Sequence, residues 1–108
     1  MEEQEFRTLA QDALKTLYRK LSAASDEFEF EPGFKAGSIE IEFAPGKTAL
    51  IVTPNVPGEQ VWVSANSKNL KLDWDWVQNA FVLPASGQTL TEIVAEAISR
   101  QLGEEVAL

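Results

Sequence analysis

Residues Ser38 to Phe43 carry the cleanest alternation in the chain: Ser-Ile-Glu-Ile-Glu-Phe. Successive strand side chains point to opposite faces, so Ile39, Ile41 and Phe43 share one side and Glu40 and Glu42 the other. Unpaired glutamates cannot be sealed between two layers, so the sheet that holds this strand has one wet face. Whatever covers its apolar face must come from one side only.

Two segments supply that cover. From Glu3 to about Ala24, the apolar residues Phe6, Leu9, Ala10, Ala13, Leu14, Leu17 and Leu21 recur at helical spacing. Arg7, Gln11, Lys15 and Arg19 lie off that stripe, and Glu2, Glu3 and Glu5 stand where the helix dipole favours negative charge. A second helix is expected from Thr89, with Thr89 and Glu92 at capping-box spacing. Its apolar face is Leu90, Ile93, Val94, Ala97, Ile98 and Leu102, and Gly103 is its C-terminal stop. Val106 and Leu108 are expected to pack back onto the core.

Between the helices the segments are short and β-like. Ser25 to Glu31 alternates Asp26, Glu27, Glu29 and Glu31 with Phe28 and Phe30, and is expected to form an acidic edge strand that Pro32-Gly33 ends. Ser38–Phe43 follows, then a hairpin turn at Ala44-Pro45-Gly46-Lys47 and a strand over Ala49–Thr53. Pro54 to Gly58 reads as a loop, and Gly58 to Ser64 as the next strand. Asn66–Asn69 is expected to turn the chain into Leu70–Trp74, and Asp75–Asn79 into Ala80–Leu83. The order is helix, about six antiparallel strands, helix: an α+β chain in which both helices lie on one sheet face as a two-layer αβ sandwich. At 108 residues, a single domain over 1–108 is expected.

That layout makes Trp62 informative. Val61 and Val63 point to the core, so Trp62 shares its face with Gln60 and Ser64. On the strand alone, a covering loop explains the tryptophan as well as a binding site does. With both helices on the valine side, Trp62 stands on an open face, where a large apolar group marks a contact surface.

Composition narrows the chemistry. The chain has no cysteine and no histidine. That excludes disulfides, thiolate metal sites and cysteine nucleophiles, and removes the usual general base near neutral pH. Any bound metal must be held by oxygen. Seventeen acids against nine bases give a formal net charge of −8, which repels nucleic acid and anionic lipid. No apolar run is long enough to span a bilayer, and the acidic start Met1-Glu2-Glu3-Gln4-Glu5 is unlike a secretory or mitochondrial leader. A cytoplasmic location is expected. Charge is also uneven: between Ala44 and Leu72 the sole acid is Glu59, against Lys47, Lys68 and Lys71.

Taken in order, Glu5-Phe6, Leu9-Ala10, Gly37-Ser38-Ile39-Glu40-Ile41, Pro57-x-x-Gln60-Val61-Trp62-Val63-Ser64, Leu72-Asp73-Trp74 and Ser86-Gly87-x-x-Leu90 resemble the frataxin family, including its bacterial members, over nearly the whole length. Two features depart from the family pattern. Thr53-Pro54-Asn55 stands where members usually carry Asn, a basic residue and Gln. Tyr18, Arg19, Lys20 and Ser22 stand where many carry an acidic ridge.

The resemblance implies a small iron-binding protein of iron–sulfur cluster assembly. It would bind ferrous and ferric iron weakly through surface carboxylates and dock on the cysteine desulfurase and scaffold complex through the open sheet face. The metal residues expected are Glu3, Glu5, Asp12, Asp26, Glu27, Glu29 and Glu31, brought side by side in the family architecture. The partner residues expected are Asn55, Gln60, Trp62 and Lys71. Exposed carboxylates without a cage bind loosely and with little selectivity. On their own the acids are equally explained as a device that deters edge-to-edge pairing. A metal-independent interaction module is therefore the alternative. An enzyme is not expected: without histidine there is no Glu-x-x-His two-metal centre, and any ferroxidase or iron-storage activity would be incidental. A monomer is expected, with iron-driven oligomers as the variant state.

Overall fold

The computed structural model describes residues 1–65 and 67–108. Helix α1 spans Glu3–Ala24 and buries Phe6, Ala10, Leu14, Leu17 and Leu21, the expected stripe. Helix α2 spans Leu90–Leu102 and buries Leu90, Ile93, Val94 and Ile98. Its capping box is complete: Thr89 accepts from the Glu92 N–H, and the Glu92 carboxylate accepts from the Thr89 N–H at 3.0 Å. These bonds, from the Thr89 backbone first and its hydroxyl second, hold the Glu92 carboxyl below the ordinary glutamate range. Gly103 ends the helix at φ 73°, in the left-handed region that glycine enters without penalty.

Six strands form one antiparallel sheet in sequence order: β1 (Glu31–Lys35), β2 (Ser38–Ala44), β3 (Lys47–Asn55), β4 (Gln60–Ala65), β5 (Lys68–Asp75) and β6 (Ala80–Val82). Ile39, Ile41, Leu50, Val52, Val61, Val63, Leu72 and Phe81 pack with both helices in one core, and no polar side chain is buried among the described residues. Val106 is buried and Leu108 packs against the same cluster. The architecture is the expected two-layer αβ sandwich, with one sheet face left open. The Asn66 end of the expected Asn66–Asn69 turn lies outside the described residues.

Two local expectations fail. The acidic edge strand over Ser25–Glu31 does not form. The end of α1 continues instead as tight turns, with Asp26 N–H donating to the Ala23 carbonyl at 3.3 Å, and Glu27 and Phe28 N–H to that of Ala24 at 3.0 Å. Phe30 is still buried and Phe28 half-buried, so the Phe/acid alternation is satisfied by turns as well as by a pleat. The edge strand comes later and contains Pro32-Gly33. Proline is tolerated there because an edge strand has one side without a ladder. Strand β3 likewise runs on through Pro54 and Asn55, which read as loop. Its pairing with β2 ends at Ile39↔Val52, so Pro54 has a partner strand on one side only.

Candidate functional site

Strand register builds the open face row by row. Thr53, Trp62 and Lys71 stand directly across three neighbouring strands, and Ser38 of β2 meets the row through a hydroxyl contact with Thr53. The next row is Asn55, Gln60 and Asp73, and the row on the other side is Glu40, Ile51, Ser64 and Asn69. Val61 and Val63 are buried on the helix side, while Trp62 keeps 36% exposure. Exposed Ile51, at 37%, adds a second apolar group to this face.

Trp62 is held in place. Its Nε1–H donates to Gln60 Oε1 at 3.1 Å, and Gln60 Nε2 in turn donates to Asp73 Oδ1 at 3.0 Å. Lys71 Nζ lies 5.1 Å from the indole centroid, within cation–π range. The indole donor is therefore engaged within the chain, and the ring face is what the site offers. A rigid aromatic ringed by polar groups loses little rotamer entropy on docking and suits a binding hot spot. Beside it, Ser38 and Thr53 share a hydroxyl–hydroxyl hydrogen bond at 2.7 Å.

Gln60, Trp62 and Lys71 thus come together, with Asn55 across from Gln60 at the end of β3. Asn55 Oδ1 accepts from the Gly58 N–H at 2.8 Å and closes the β3–β4 turn. Asn55 shapes the site through that turn, since its side-chain oxygen is already engaged. Asp73 is the member that sequence reasoning missed. Alternation from Lys71 puts it on this face, but its role needs the register that sets it across from Gln60.

The seven expected metal carboxylates fall in three places. Glu3 and Glu5 lie in the first turn of α1, with Glu3 Oε2 3.3 Å from Arg7 Nε. Asp12 lines a separate groove with Leu9, Trp74, Asn79 and Thr91. Asp26, Glu27, Glu29 and Glu31 gather beyond the far end of the helix. At 22 residues α1 is about 33 Å long, several screening lengths at physiological salt, so the first-turn acids add little to the field at Asp26–Glu31. Helix α1 and β1 do lie side by side, with Tyr18 against Phe34, but β1 begins where α1 ends, so Asp26–Glu31 stay at the far end from Glu3 and Glu5.

The far group does share a feature. Asp26, Glu27, Glu29 and Glu31 line an open groove of about 620 Å³ with Phe28, Phe30 and Phe43, and Glu42 joins them from β2. Glu42 was not among the expected ligands; the pairing Glu31↔Glu42 brings it there. Its Oε2 also accepts from the Gly46 N–H at 3.2 Å. Among the described residues, no three carboxylates converge as a metal cage would require. An all-carboxylate, wide-open donor set matches hard cations held loosely. No helix of the described residues is long and apolar enough to cross a membrane.

Comparison with known proteins gives one consistent result. Residues 1–104 match the family model of the Frataxin-like domain. The iron-sulfur cluster assembly protein CyaY of Dechloromonas aromatica is 30% identical over 110 residues, covering 100% of this chain and 99% of its own length. The protein of the same name from Tolumonas auensis is 24% identical over 111 residues, covering 100% of this chain and 99% of its own. Among solved structures, frataxin from Psychromonas ingrahamii superposes with a TM-score of 0.76 at 23% identity, over 99% of this chain and 97% of that one. Yeast frataxin superposes with a TM-score of 0.69 at 20% identity, over 93% of this chain and 82% of that one.

Proposed function

The chain belongs to the frataxin-like family, and from that premise we propose that it serves iron–sulfur cluster assembly as a single-domain, cytoplasmic docking protein rather than as an enzyme. The observation that carries this reading is the exposed Trp62, fixed by Gln60 and flanked by Lys71 on a sheet face that no helix covers. Relatives of matching length bear the name iron-sulfur cluster assembly protein. On this reading the open face docks on the cysteine desulfurase and scaffold pair and modulates sulfur transfer.

Iron is cargo in this scheme. Asp26, Glu27, Glu29 and Glu31, with Glu42, would hold ferrous or ferric ions weakly at the groove. Glu3, Glu5 and Asp12 contribute little, because the helix sets them apart. Carboxylates without a cage leave most of the ion's hydration in place, so affinity is modest and several cations compete.

The deciding experiment is cluster formation on the scaffold with desulfurase, cysteine and ferrous iron, with and without this protein. A changed rate supports the reading, and an unchanged rate rejects it. A second reading, docking without metal, draws on the lack of a convergent cage. Binding to the same pair with and without chelator separates the two: loss of binding with chelator supports the iron-dependent form, and unchanged binding supports the metal-independent one.

A further inference from the structure

The β5–β6 hairpin carries an apolar tip that neither the core nor the open face uses. Trp76 is 58% exposed and Val77 91% exposed, the most exposed large apolar side chain described. Such a tip is usually polar, because turns lie in water. This one is also held firmly. Asp75 Oδ1 accepts from the Val77 N–H at 2.8 Å and the Gln78 N–H at 3.4 Å, and Gln78 Nε2 donates to Asp75 Oδ2 at 3.3 Å. The backbone bond from Val77, the largest cause, keeps the Asp75 carboxyl below the ordinary aspartate range.

Aromatic rings connect the tip to the core. Phe6 packs edge-on to Phe81 at 5.9 Å, Phe81 to Trp74 at 5.1 Å, and Trp74 to Trp76 at 5.6 Å. Trp74 keeps its Nε1 buried without a partner in this arrangement. A chain of rings running from the centre of the fold to a solvent-facing tryptophan presents a preformed knob, whose docking needs little ordering.

Charge selects the occupant. Residues 72–91 contain Asp73 and Asp75 and no lysine or arginine. The groove behind the tip has Asp12 as its charged lining residue. Two copies of a chain with formal net charge −8 meeting at this corner would oppose acid to acid, so a different protein fits better than a second copy. Trp76 lies in the turn just past β5, five residues on from Lys71, which faces Trp62. At strand rise that is roughly 16 Å, the reach of a footprint of about 800 Å², and because Trp76 packs on Trp74 at the helix side a single partner would have to wrap the β6 edge to meet both.

We propose that Trp76 and Val77 form a second docking knob, which seats in an apolar cleft with a basic rim on the same protein complex that the Trp62 face engages. This rests on the docking function proposed above. The test is binding of the full chain to the purified desulfurase–scaffold pair by calorimetry, with Val77→Asp, Val77→Lys and Trp62→Ala. Val77 is so exposed that its two variants should fold and melt as the parent does. The expected result is a loss of at least about tenfold for Val77→Lys and a smaller loss for Val77→Asp, because a basic rim repels the lysine. Trp76→Ser, checked for folding by circular dichroism, should weaken binding as well. Equal losses for the two Val77 variants would overturn the basic rim. Parent-like binding by both, with Trp62→Ala weakened, would overturn the knob and leave the docking face standing. Parent-like binding by all of them would overturn both the knob and the Trp62 face as contact surfaces, and absent binding by the parent itself would reject the docking function. A concentration-dependent dimer that Val77→Asp dissolves would assign the knob to a second copy and overturn the proposal.

Discussion

Trp62→Ala separates a contact residue from a core residue, and the structure sets the scale. In the folded chain the substitution removes an exposed hydrogen bond to Gln60 at 3.1 Å and the stacking of Lys71 Nζ at 5.1 Å. An exposed cation–π contact is worth about 0.5–1 kcal/mol, and a net hydrogen bond about as much. These two contacts together set a stability cost of roughly 1–2 kcal/mol. Leu72→Ala is the matched control: it lies on the neighbouring strand, faces the helices and is 0% exposed. A buried Leu→Ala change costs about 2–5 kcal/mol. With about 4–8 °C per kcal/mol for a domain of this size, Leu72→Ala should melt well below Trp62→Ala. Binding should reverse the order. A central tryptophan is often worth about 2 kcal/mol or more on truncation, near a thirtyfold loss in Kd, whereas folded Leu72→Ala keeps its contact face. Thermal melts by circular dichroism and titration into the desulfurase–scaffold pair give both numbers. If Trp62→Ala melts as low as Leu72→Ala while Kd moves less than about threefold, Trp62 is a packing residue and the docking face is wrong.

Four further outcomes follow from particular contacts. A Cβ at Gly58 would stand 2.7 Å from Asn55 Oδ1, so Gly58→Ala should break the turn bond and cost about 1 kcal/mol, with little added by Asn55→Ala; chemical denaturation of the two single mutants and the double mutant tests this non-additivity. Thr89→Ala should cost about 1 kcal/mol through the lost cap, read by the same denaturation. Glu92 has a lowered folded pKa, so its contribution is complete above the ordinary glutamate value and fades as pH falls through the lowered one; Glu92→Gln should flatten that part of the stability–pH curve measured by denaturation. In a ferrous titration followed by NMR, replacing Asp26, Glu27, Glu29 and Glu31 by their amides should abolish paramagnetic broadening around residues 25–31, while the same change at Glu3, Glu5 and Asp12 should leave it; broadening centred on residues 60–72 in the parent would refute the groove.

The fold was legible where a single solution satisfied the pattern. Ile39, Ile41, Val61 and Val63 alternate with polar residues and had to face one covered side, and Thr89 with Glu92 marked a helix start that both capping bonds occupy. It was illegible where two backbones bury the same side chains. Phe28 and Phe30 reach the core from turns, so their spacing did not identify a strand, and Pro54 entered a strand because its other neighbour had already ended. The docking face was half legible. Trp62 follows from alternation, but Asp73 beside Gln60 and Glu42 beside Glu31 are products of strand register, which local sequence does not encode. The spread of the acids is a length effect: a 22-residue helix puts its two ends on opposite sides of a molecule whose longest extent is 38 Å.

That length effect bears on how the two proposed activities relate. Glu42 and Trp62 point to the same sheet face, separated by two strand spacings and by the four residues from Glu42 to Ser38, the β2 residue that meets the Trp62 row. At about 4.8 Å per strand and 3.3 Å per residue, their separation is roughly 16 Å. A partner centred on Trp62 with a footprint of about 800 Å² extends about that far, so its rim would reach the acidic groove. An ion at Glu42 and Glu31 would then lie at the border of the docked complex, where water still has access and exchange stays fast. The first-turn acids of α1, by contrast, are at the other end of the helix, and Glu3 is already beside Arg7. Loose binding at the border of an interface suits release to a neighbouring protein better than a closed cage would, because a caged ion must lose all its ligands before it leaves. An open carboxylate groove at that border is compatible with a delivery role.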